Sequence, residues 1–135
     1  MDAWAGCSVQ AVSHMYRNPP MGPVEQPDYL NAVAAVSTCL QPLQLLDGLQ
    51  CLEDAAGRVR DGPRGSARTL DLDLLLYDAL VLEHPRLRLP HPGVHVRAFV
   101  IHPLAQIAPQ AYIPGHGRAA QIAAGIDAST LHIER

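Results

Sequence analysis

The apolar positions of the chain recur with two periods, one of two residues and one of about 3.6 residues. Residues 9–16 and 30–38 alternate closely enough to predict two strands. Between them, residues 18–27 contain four prolines and Gly22, which exclude regular structure and predict a shaped loop. The clearest alternation runs over residues 69–77 and predicts a third strand.

A helix is predicted over residues 41–56. Leucine and alanine recur there at helical spacing, Pro42 occupies a first-turn position that tolerates proline, and Gly57 is the predicted stop. Glu53 falls within the apolar stripe of this helix, which is an unusual place for a carboxylate. Its side chain either reaches water at the edge of the stripe or serves a buried site, and the sequence leaves both interpretations open.

Shorter elements are predicted in the second half of the chain. Residues 80–89 predict a hairpin, and residues 96–105 and 119–124 predict two short helices. The chain has 135 residues, of which 48% are hydrophobic and 17% charged. This size and balance are typical of one folded domain that covers residues 1–135, rather than of a disordered chain or of two independent domains.

Two carboxylates lie on one side of the third predicted strand. Asp71 and Asp73 are two positions apart, so their side chains leave the same face of a strand. Neighbouring carboxylates repel unless a cation neutralises them, and ligation by carboxylate oxygens alone favours Mg²⁺. The alternative is an exposed acidic face, because the opposite face is entirely leucine: Leu70, Leu72, Leu74 and Leu76.

Four arginines precede these aspartates on a segment rich in glycine and proline: Arg58, Arg60, Arg64 and Arg68. Guanidinium groups bind phosphate oxygens, and beside a carboxylate pair that would hold Mg²⁺ they are typical of a phosphoryl-transfer site. Taken alone, they could also form a solvated loop that pairs with Asp61 and Asp71. No G-x-x-x-x-G-K-[ST] motif occurs, which excludes a P-loop enzyme.

The composition indicates which classes of partner and which cellular compartment fit the chain. The net charge is −3 and aromatic residues make up only 4%, which argues against a nucleic-acid binder. The three cysteines have no C-x-x-C spacing, so they indicate neither a disulfide framework nor a zinc site and fit a reducing cytoplasm. The apolar segments carry polar residues and prolines, and the first residues lack a cationic region, so neither a membrane span nor a secretory signal is predicted.

A long motif resembles a known family. Residues 64–74, R-G-S-A-R-T-L-D-L-D-L, are similar to the signature of 6-hydroxymethyl-7,8-dihydropterin pyrophosphokinase, an enzyme family of folate biosynthesis. The resemblance extends from about Val9 to Pro114. The further matches are, in order, residues 16–23, 26–32, 53, 57–60, 89–92, 97–100 and 103–104.

The resemblance implies an activity. Members of the family transfer the β,γ-diphosphate of ATP to the hydroxymethyl oxygen of the reduced pterin and release AMP. Asp71 and Asp73 match the ligands of two Mg²⁺ ions, and Arg58 and Arg68 match the arginines that hold the phosphates during transfer. The matches to the ATP side are Glu53, Arg60, Arg64, His91 and Arg97.

The resemblance also implies a pterin pocket. Tyr29 and Phe99 match the aromatic pair that sandwiches the pterin, and Asn31 matches the residue that hydrogen-bonds its edge. The residues that match the pocket lining are Asn18, Pro19 and Met21. Phe99 could instead be an ordinary core residue, since aromatic side chains commonly pack in cores. His91 is expected to contact phosphate, and His95 receives no role because an irregular segment does not bring these two rings together.

The fold that the resemblance implies is α+β, a ferredoxin-like antiparallel sheet with helices packed on one side. The family begins with a strand, a Gly-Ser-Asn turn and a helix that nothing before Val9 resembles, so we expect a sheet without its first strand and helix. Gly65 stands where the family often has a loop tryptophan, which predicts a freer loop. The competing hypothesis is a shortened, inactive homologue that binds ATP or pterin. The family is expected to be monomeric, and strand exchange is the alternative for a shortened chain.

Overall fold

The computed structural model describes residues 6–18, 29–58 and 71–134. Three helices lie in these ranges: α1 (Pro42–Arg58), α2 (Ala98–Ile107) and α3 (Ala119–Ala124). Nine strands accompany them: β1 (Cys7–Val12), β2 (Tyr16–Asn18), β3 (Tyr29–Asn31), β4 (Ala34–Thr38), β5 (Leu82–His84), β6 (Leu87–Leu89), β7 (Tyr112–Ile113), β8 (Gly117–Arg118) and β9 (His132–Ile133). No helix within the described ranges is long and apolar enough to span a membrane.

The strands pair only in the antiparallel sense, which confirms the α+β class. Within the described part of the chain they form four small sheets, with the orders β1-β4, β3-β2-β9, β5-β6 and β7-β8. The larger core cluster packs α2, α3 and β7 together and includes Val94, Ile101 and Ile113, all fully buried. A smaller cluster joins α1 to the β5-β6 hairpin through Leu46, Leu87 and Leu89.

The two strands predicted first are each interrupted. Residues 9–16 divide between β1 and β2, and residues 30–38 divide between β3 and β4, so the prediction of two continuous strands is wrong. Ser13 lies in the break between β1 and β2, and Val33 lies in the break between β3 and β4. The two residues are hydrogen-bonded to each other. The buried Ser13 donates its N–H to the Val33 carbonyl at 2.8 Å, and its Oγ accepts the Val33 N–H at 2.9 Å. The serine side chain thus replaces a ladder bond and redirects both strands.

Helix α1 begins where the sequence predicts and ends later. Pro42 is its first residue, and the Gln44 side chain accepts the N–H of Gln41 at 2.9 Å, as in one half of a capping box. The helix continues through Gly57 to Arg58. Gly57 is not among the described glycines with positive φ, so it does not adopt the left-handed conformation by which glycine usually ends a helix.

In the third predicted strand, residues 72–77 pair with no strand of the described ranges. The prediction of a strand is therefore wrong for these residues; residues 69 and 70 lie outside the described ranges. Strict alternation also fails. Leu74 and Tyr77 pack on the smaller cluster, whereas the consecutive residues Leu75 and Leu76 both pack on the larger one. The segment is held between two cores by its side chains instead of by a ladder.

The later elements follow the sequence prediction more closely. Strands β5 and β6 form the expected hairpin, with Leu82 opposite Leu89 and His84 opposite Leu87. Helix α3 coincides with the predicted residues 119–124, and α2 begins at Ala98, two residues after the predicted start. These elements are confirmed because each depends on local periodicity and a nearby partner.

Candidate active site

A cavity of about 710 Å³ separates β4 from residues 71–79. Ala34–Thr38 form one wall, and residues 71–79 form the other. Between the walls lie Leu45 and Leu49 of α1 and Leu104 of α2, all of them buried. The cavity therefore has an apolar interior, and its chemistry depends on the polar side chains that reach its margin.

Six predicted site residues line this cavity: Asn31, Asp71, Asp73, His91, Arg97 and Phe99. They come from β3, from the segment 71–77, from the turn before α2 and from α2 itself. Residues from widely separated stretches of sequence thus line one cavity. Their side chains provide two carboxylates, a guanidinium, an imidazole, an amide and an aromatic ring.

The two aspartates present their side chains to solvent. Asp71 and Asp73 are exposed and Leu72 between them is half-buried, as expected for alternate positions of an extended segment. Oxygen ligands at a wet margin suit Mg²⁺, which keeps several waters and completes its shell with phosphate oxygens. Within the described ranges, no group of three or more His, Cys, Asp or Glu side chains could hold a metal ion. The two exposed carboxylates could serve as ligands of a hydrated Mg²⁺ whose remaining ligands are water and phosphate oxygens.

Glu53 reaches the aspartates through the backbone. It lies half-buried on α1, and its Oε2 accepts the N–H of Leu72 at 2.5 Å. Both interpretations that the sequence left open, exposure at the edge of the stripe and service in a buried site, stay predictions. The carboxylate fixes the Asp71–Leu72 peptide, a partner that sequence spacing alone could not identify. Its predicted role on the ATP side stays a prediction.

A compact turn carries His91 and Arg97. The N–H of His91 donates to the carbonyl of Leu75 at 2.9 Å, which ties this turn to the aspartate-bearing segment. The guanidinium carbon of Arg97 lies 6.0 Å from the centre of the Phe99 ring, at the outer limit of a cation-π contact. A basic group and an aromatic ring thus share one margin of the cavity.

Phe99 and Asn31 are the described members of the predicted pterin pocket. Both are half-buried and line the cavity, and Phe99 is not a member of either core cluster. The other predicted site residues lie outside the described ranges, entirely or in their side chains: Asn18, Pro19, Met21, Tyr29, Arg58, Arg60, Arg64 and Arg68. Gly65 also lies outside them.

Sequence reasoning assigned nothing to two features near the site. Tyr112 of β7 also lines the large cavity, and Arg118 lies 5.9 Å from its ring centre. The rings of His95 and His116 stack 3.7 Å apart beside a second cavity of about 260 Å³. Burial of His95 lowers its pKa, and the nearby His116 lowers it further. The His95–His116 contact has no local sequence signal, because it joins segments that only the fold brings together, whereas Tyr112 and Arg118 are directly opposed in the β7-β8 hairpin.

Replacement of Glu53 by Ala should release the Leu72 amide. The lost hydrogen bond has a charged acceptor, a class worth about 1.5–3 kcal/mol, so exchange of this amide should accelerate by about 10- to 150-fold. Hydrogen exchange followed by NMR measures the change directly. Glu53→Gln keeps an acceptor and should give an intermediate rate, whereas Asp54→Ala, at the exposed neighbouring position, should leave Leu72 unchanged. Unaltered Leu72 exchange in Glu53→Ala would refute the tether.

Comparison with known proteins identifies the family. A family model described as 7,8-dihydro-6-hydroxymethylpterin-pyrophosphokinase matches residues 1–109, so the match begins before Val9 and ends before Pro114. The 2-amino-4-hydroxy-6-hydroxymethyldihydropteridine pyrophosphokinase of Pseudomonas aeruginosa is 51% identical over 104 residues, which are 77% of this chain and 64% of that protein. Its namesake from Haemophilus influenzae is 50% identical over 102 residues, 76% of this chain and 63% of that protein.

A third relative of the same name, from Methylorubrum extorquens, is 44% identical over 113 residues, which are 84% of this chain and 71% of that protein. The chain thus spans less than two-thirds of the length of the first two relatives and somewhat more of the third. Because the family model covers most of the chain, the chain belongs to the 7,8-dihydro-6-hydroxymethylpterin-pyrophosphokinase family.

Proposed function

We propose that this chain provides the site at which the diphosphate of ATP is transferred to 6-hydroxymethyl-7,8-dihydropterin. The observation that carries the proposal is the gathering of six residues with the required chemistry around one cavity, in a chain of this family. The products would be the pterin diphosphate ester and AMP, a step of folate biosynthesis. The three free cysteines and the use of ATP fit a cytoplasmic protein.

The reaction makes one bond and breaks one. The hydroxymethyl oxygen bonds to the β-phosphorus of ATP, and the bond from that phosphorus to the oxygen shared with the α-phosphate breaks. AMP leaves with that oxygen, and the hydroxyl proton passes to water. Such a transfer depends chiefly on alignment and on neutralisation of charge. The site therefore needs cationic groups at the phosphates and a rigid seat for the pterin.

Charge neutralisation would come from several elements at the cavity margin. Asp71 and Asp73 would hold Mg²⁺, which, when bound, offsets the negative charge of the triphosphate. Arg97 and His91 would donate hydrogen bonds to phosphate oxygens from the turn that the His91 N–H ties to Leu75. The arginines that match the family's phosphate-binding positions would add further donors: Arg58, Arg60, Arg64 and Arg68. The Glu53 tether would keep the two carboxylates at a constant spacing.

The pterin would lie against Phe99, with Tyr29 on its other face. Stacked aromatic side chains hold a flat heterocycle with little loss of side-chain freedom. Asn31 would pair with the donors and acceptors on the pterin edge. The pocket would be completed by Asn18, Pro19 and Met21.

Loss of one aspartate should remove the metal-dependent part of nucleotide affinity. We expect Asp71→Asn and Asp73→Asn each to weaken Mg²⁺-dependent binding of a non-hydrolysable ATP analogue at least tenfold and to abolish AMP formation, because an amide does not neutralise the cation. Calorimetric titration with and without Mg²⁺ measures the first effect, and chromatographic detection of AMP the second.

The matched control for these variants is Asp78→Asn. Asp78 is exposed and its φ is 50°, a conformation that asparagine tolerates, so this variant changes charge without straining the turn. We expect it to bind the analogue as the parent does. Equal analogue binding by Asp71→Asn, Asp73→Asn and the parent at saturating Mg²⁺ would overturn the metal assignment.

The proposed pterin pocket is tested separately from the metal assignment. Phe99→Ala should weaken pterin binding by about 1–3 kcal/mol, and Tyr29→Ala by a similar amount, since each removes a stacking surface. Asn31→Ala should reduce discrimination between the pterin and analogues with altered edge donors, because buried donors and acceptors are left unpaired. Pterin fluorescence titration gives all three affinities. Phe99→Leu separates ring stacking from apolar volume, and unchanged affinity in both alanine variants of the aromatic pair would place the pterin elsewhere.

We further propose that the ferredoxin-like arrangement is completed by one more strand between β4 and residues 71–77. Within the described ranges β4 pairs with β1 on one edge only, and residues 72–77 pair with no strand. The large cavity lies between these two extended stretches. An inserted strand would bond to both at the usual spacing of about 4.7–4.9 Å.

Burial supports the same proposal. Leu72, Leu74, Leu75 and Leu76 are only half-buried, although they belong to the clearest alternation among the predicted strands. A strand in the cavity would cover the side chains that face it and satisfy backbone groups on either side. The family pattern places a strand, a Gly-Ser-Asn turn and a helix ahead of the residues that match here.

The completed sheet predicts that stability and turnover rise together. Fusing the strand, Gly-Ser-Asn turn and helix of a relative ahead of Met1 should raise the melting temperature and the rate of AMP formation. The same fusion with the apolar strand residues changed to aspartate should do neither. Sedimentation should show a monomer for the active fusion and strand-exchanged oligomers for the 135-residue chain. A monomeric 135-residue chain with a cooperative melt and full turnover would contradict the proposal.

A further inference from the structure

We propose that Gly93 is a positioning residue that holds His91 as a hydrogen-bond donor and leaves room for Arg97 at the site margin. The proposal rests on the proposed function, because it concerns how the same site presents two groups to phosphate. Gly93 is buried at the centre of the turn that carries both residues. Its backbone N–H contacts His91, and the absence of a side chain leaves space for Arg97.

The backbone of Gly93 sets the tautomer of His91. The N–H of Gly93 donates to Nδ1 of His91 at 3.0 Å. A ring nitrogen that accepts a hydrogen bond carries no proton, so the proton of the neutral ring lies on Nε2. The N–H of His91 is itself bound to the Leu75 carbonyl. His91 therefore has a fixed backbone and a fixed tautomer, with Nε2–H as its donor.

The missing side chain of Gly93 makes room for Arg97. A Cβ built on Gly93 would lie 2.8 Å from Nε, 3.0 Å from Cδ and 3.1 Å from Cζ of Arg97. The guanidinium end of Arg97 thus packs directly against Gly93, so a methyl group on residue 93 would displace the guanidinium. Displacement would change the position of the guanidinium relative to the Phe99 ring and to the cavity margin that Arg97 now lines.

The turn itself does not require glycine on conformational grounds. Positive φ occurs at Gly6, Gly115 and Gly117 among the described glycines, and Gly93 is not one of them. The carbonyl of Gly93 accepts the N–H of Arg97 at 3.1 Å, a bond that alanine could also make. Gly93→Ala therefore keeps the backbone and the Nδ1 contact of His91 and perturbs Arg97 alone.

A double-mutant cycle tests the role. We expect Gly93→Ala to weaken binding of the Mg²⁺-loaded, non-hydrolysable ATP analogue on the order of tenfold, as loss of one charge-assisted contact would. Arg97→Ala should weaken it by a similar factor, and Gly93→Ala should then have no further effect in the Arg97→Ala background. The KM for ATP should rise while the pterin affinity stays within twofold of the parent.

Gly125→Ala is the matched control. Gly125 has a φ of −95°, and its nearest neighbour to a new Cβ would be at an ordinary 3.6 Å, so alanine fits there. Melting temperatures of both glycine variants show whether the fold is retained. An equal loss of affinity from Gly93→Ala in the parent and in Arg97→Ala would show a general structural effect and overturn the proposal, as would no loss in the parent.

A second measurement does not depend on nucleotide binding. Long-range ¹H–¹⁵N correlation at pH 8 should show a protonated Nε2 and an unprotonated Nδ1 for His91, in the parent and in Gly93→Ala alike. The opposite tautomer would overturn the first half of the proposal even if ATP binds. A parent chain that shows the expected tautomer but no affinity for the analogue would refute the proposed function and leave the role of Gly93 at His91 intact.

Discussion

The placement of residues 71–77 is the constraint on which the rest of the molecule depends. The segment lies between two core clusters, with Leu74 and Tyr77 in one and Leu75 and Leu76 in the other. Two hydrogen bonds fix its backbone, one from the N–H of Leu72 to the Glu53 carboxylate and one from the His91 N–H to the Leu75 carbonyl. These contacts link α1, the β5-β6 hairpin and the turn before α2. The positions of the candidate site residues therefore depend on how the leucines pack.

The candidate site and the space between β4 and residues 71–77 form one continuous cavity. The two aspartates, Arg97 and Phe99 lie at its margin, and its apolar interior reaches between the two extended stretches. A group that packs in the apolar interior would also support the residues at the polar margin, because close-packed interiors have low compressibility and transmit strain. Under the proposed function, the packing of this interior and substrate binding would therefore be physically coupled.

The local pattern of apolar and polar residues was sufficient to predict some helices and strands and insufficient to predict others. Periodicity predicted α3, the β5-β6 hairpin and the start of α1, where neighbours in sequence are also neighbours in space. It missed the breaks in the first two strands, since those depend on the bonds that Ser13 makes with Val33. Alternation over residues 69–77 indicates an extended, half-buried chain, but it contains no information about whether a partner strand is present. In the site, residue types predicted carboxylate and phosphate chemistry, whereas the Leu72 amide as the partner of Glu53 required the fold.

The attachment of residues 71–77 through side chains has a consequence for how sequences of this kind can diverge. A strand in a ladder keeps its register through backbone bonds to its neighbours as well as through its hydrophobic pattern, so a change at one core side chain leaves those bonds in place. Here the register of Asp71 and Asp73 is set by leucine volumes and by one carboxylate on another element. A lineage could therefore lose the geometry proposed for metal binding while keeping both aspartates, simply by exchanging an interior leucine for a smaller residue.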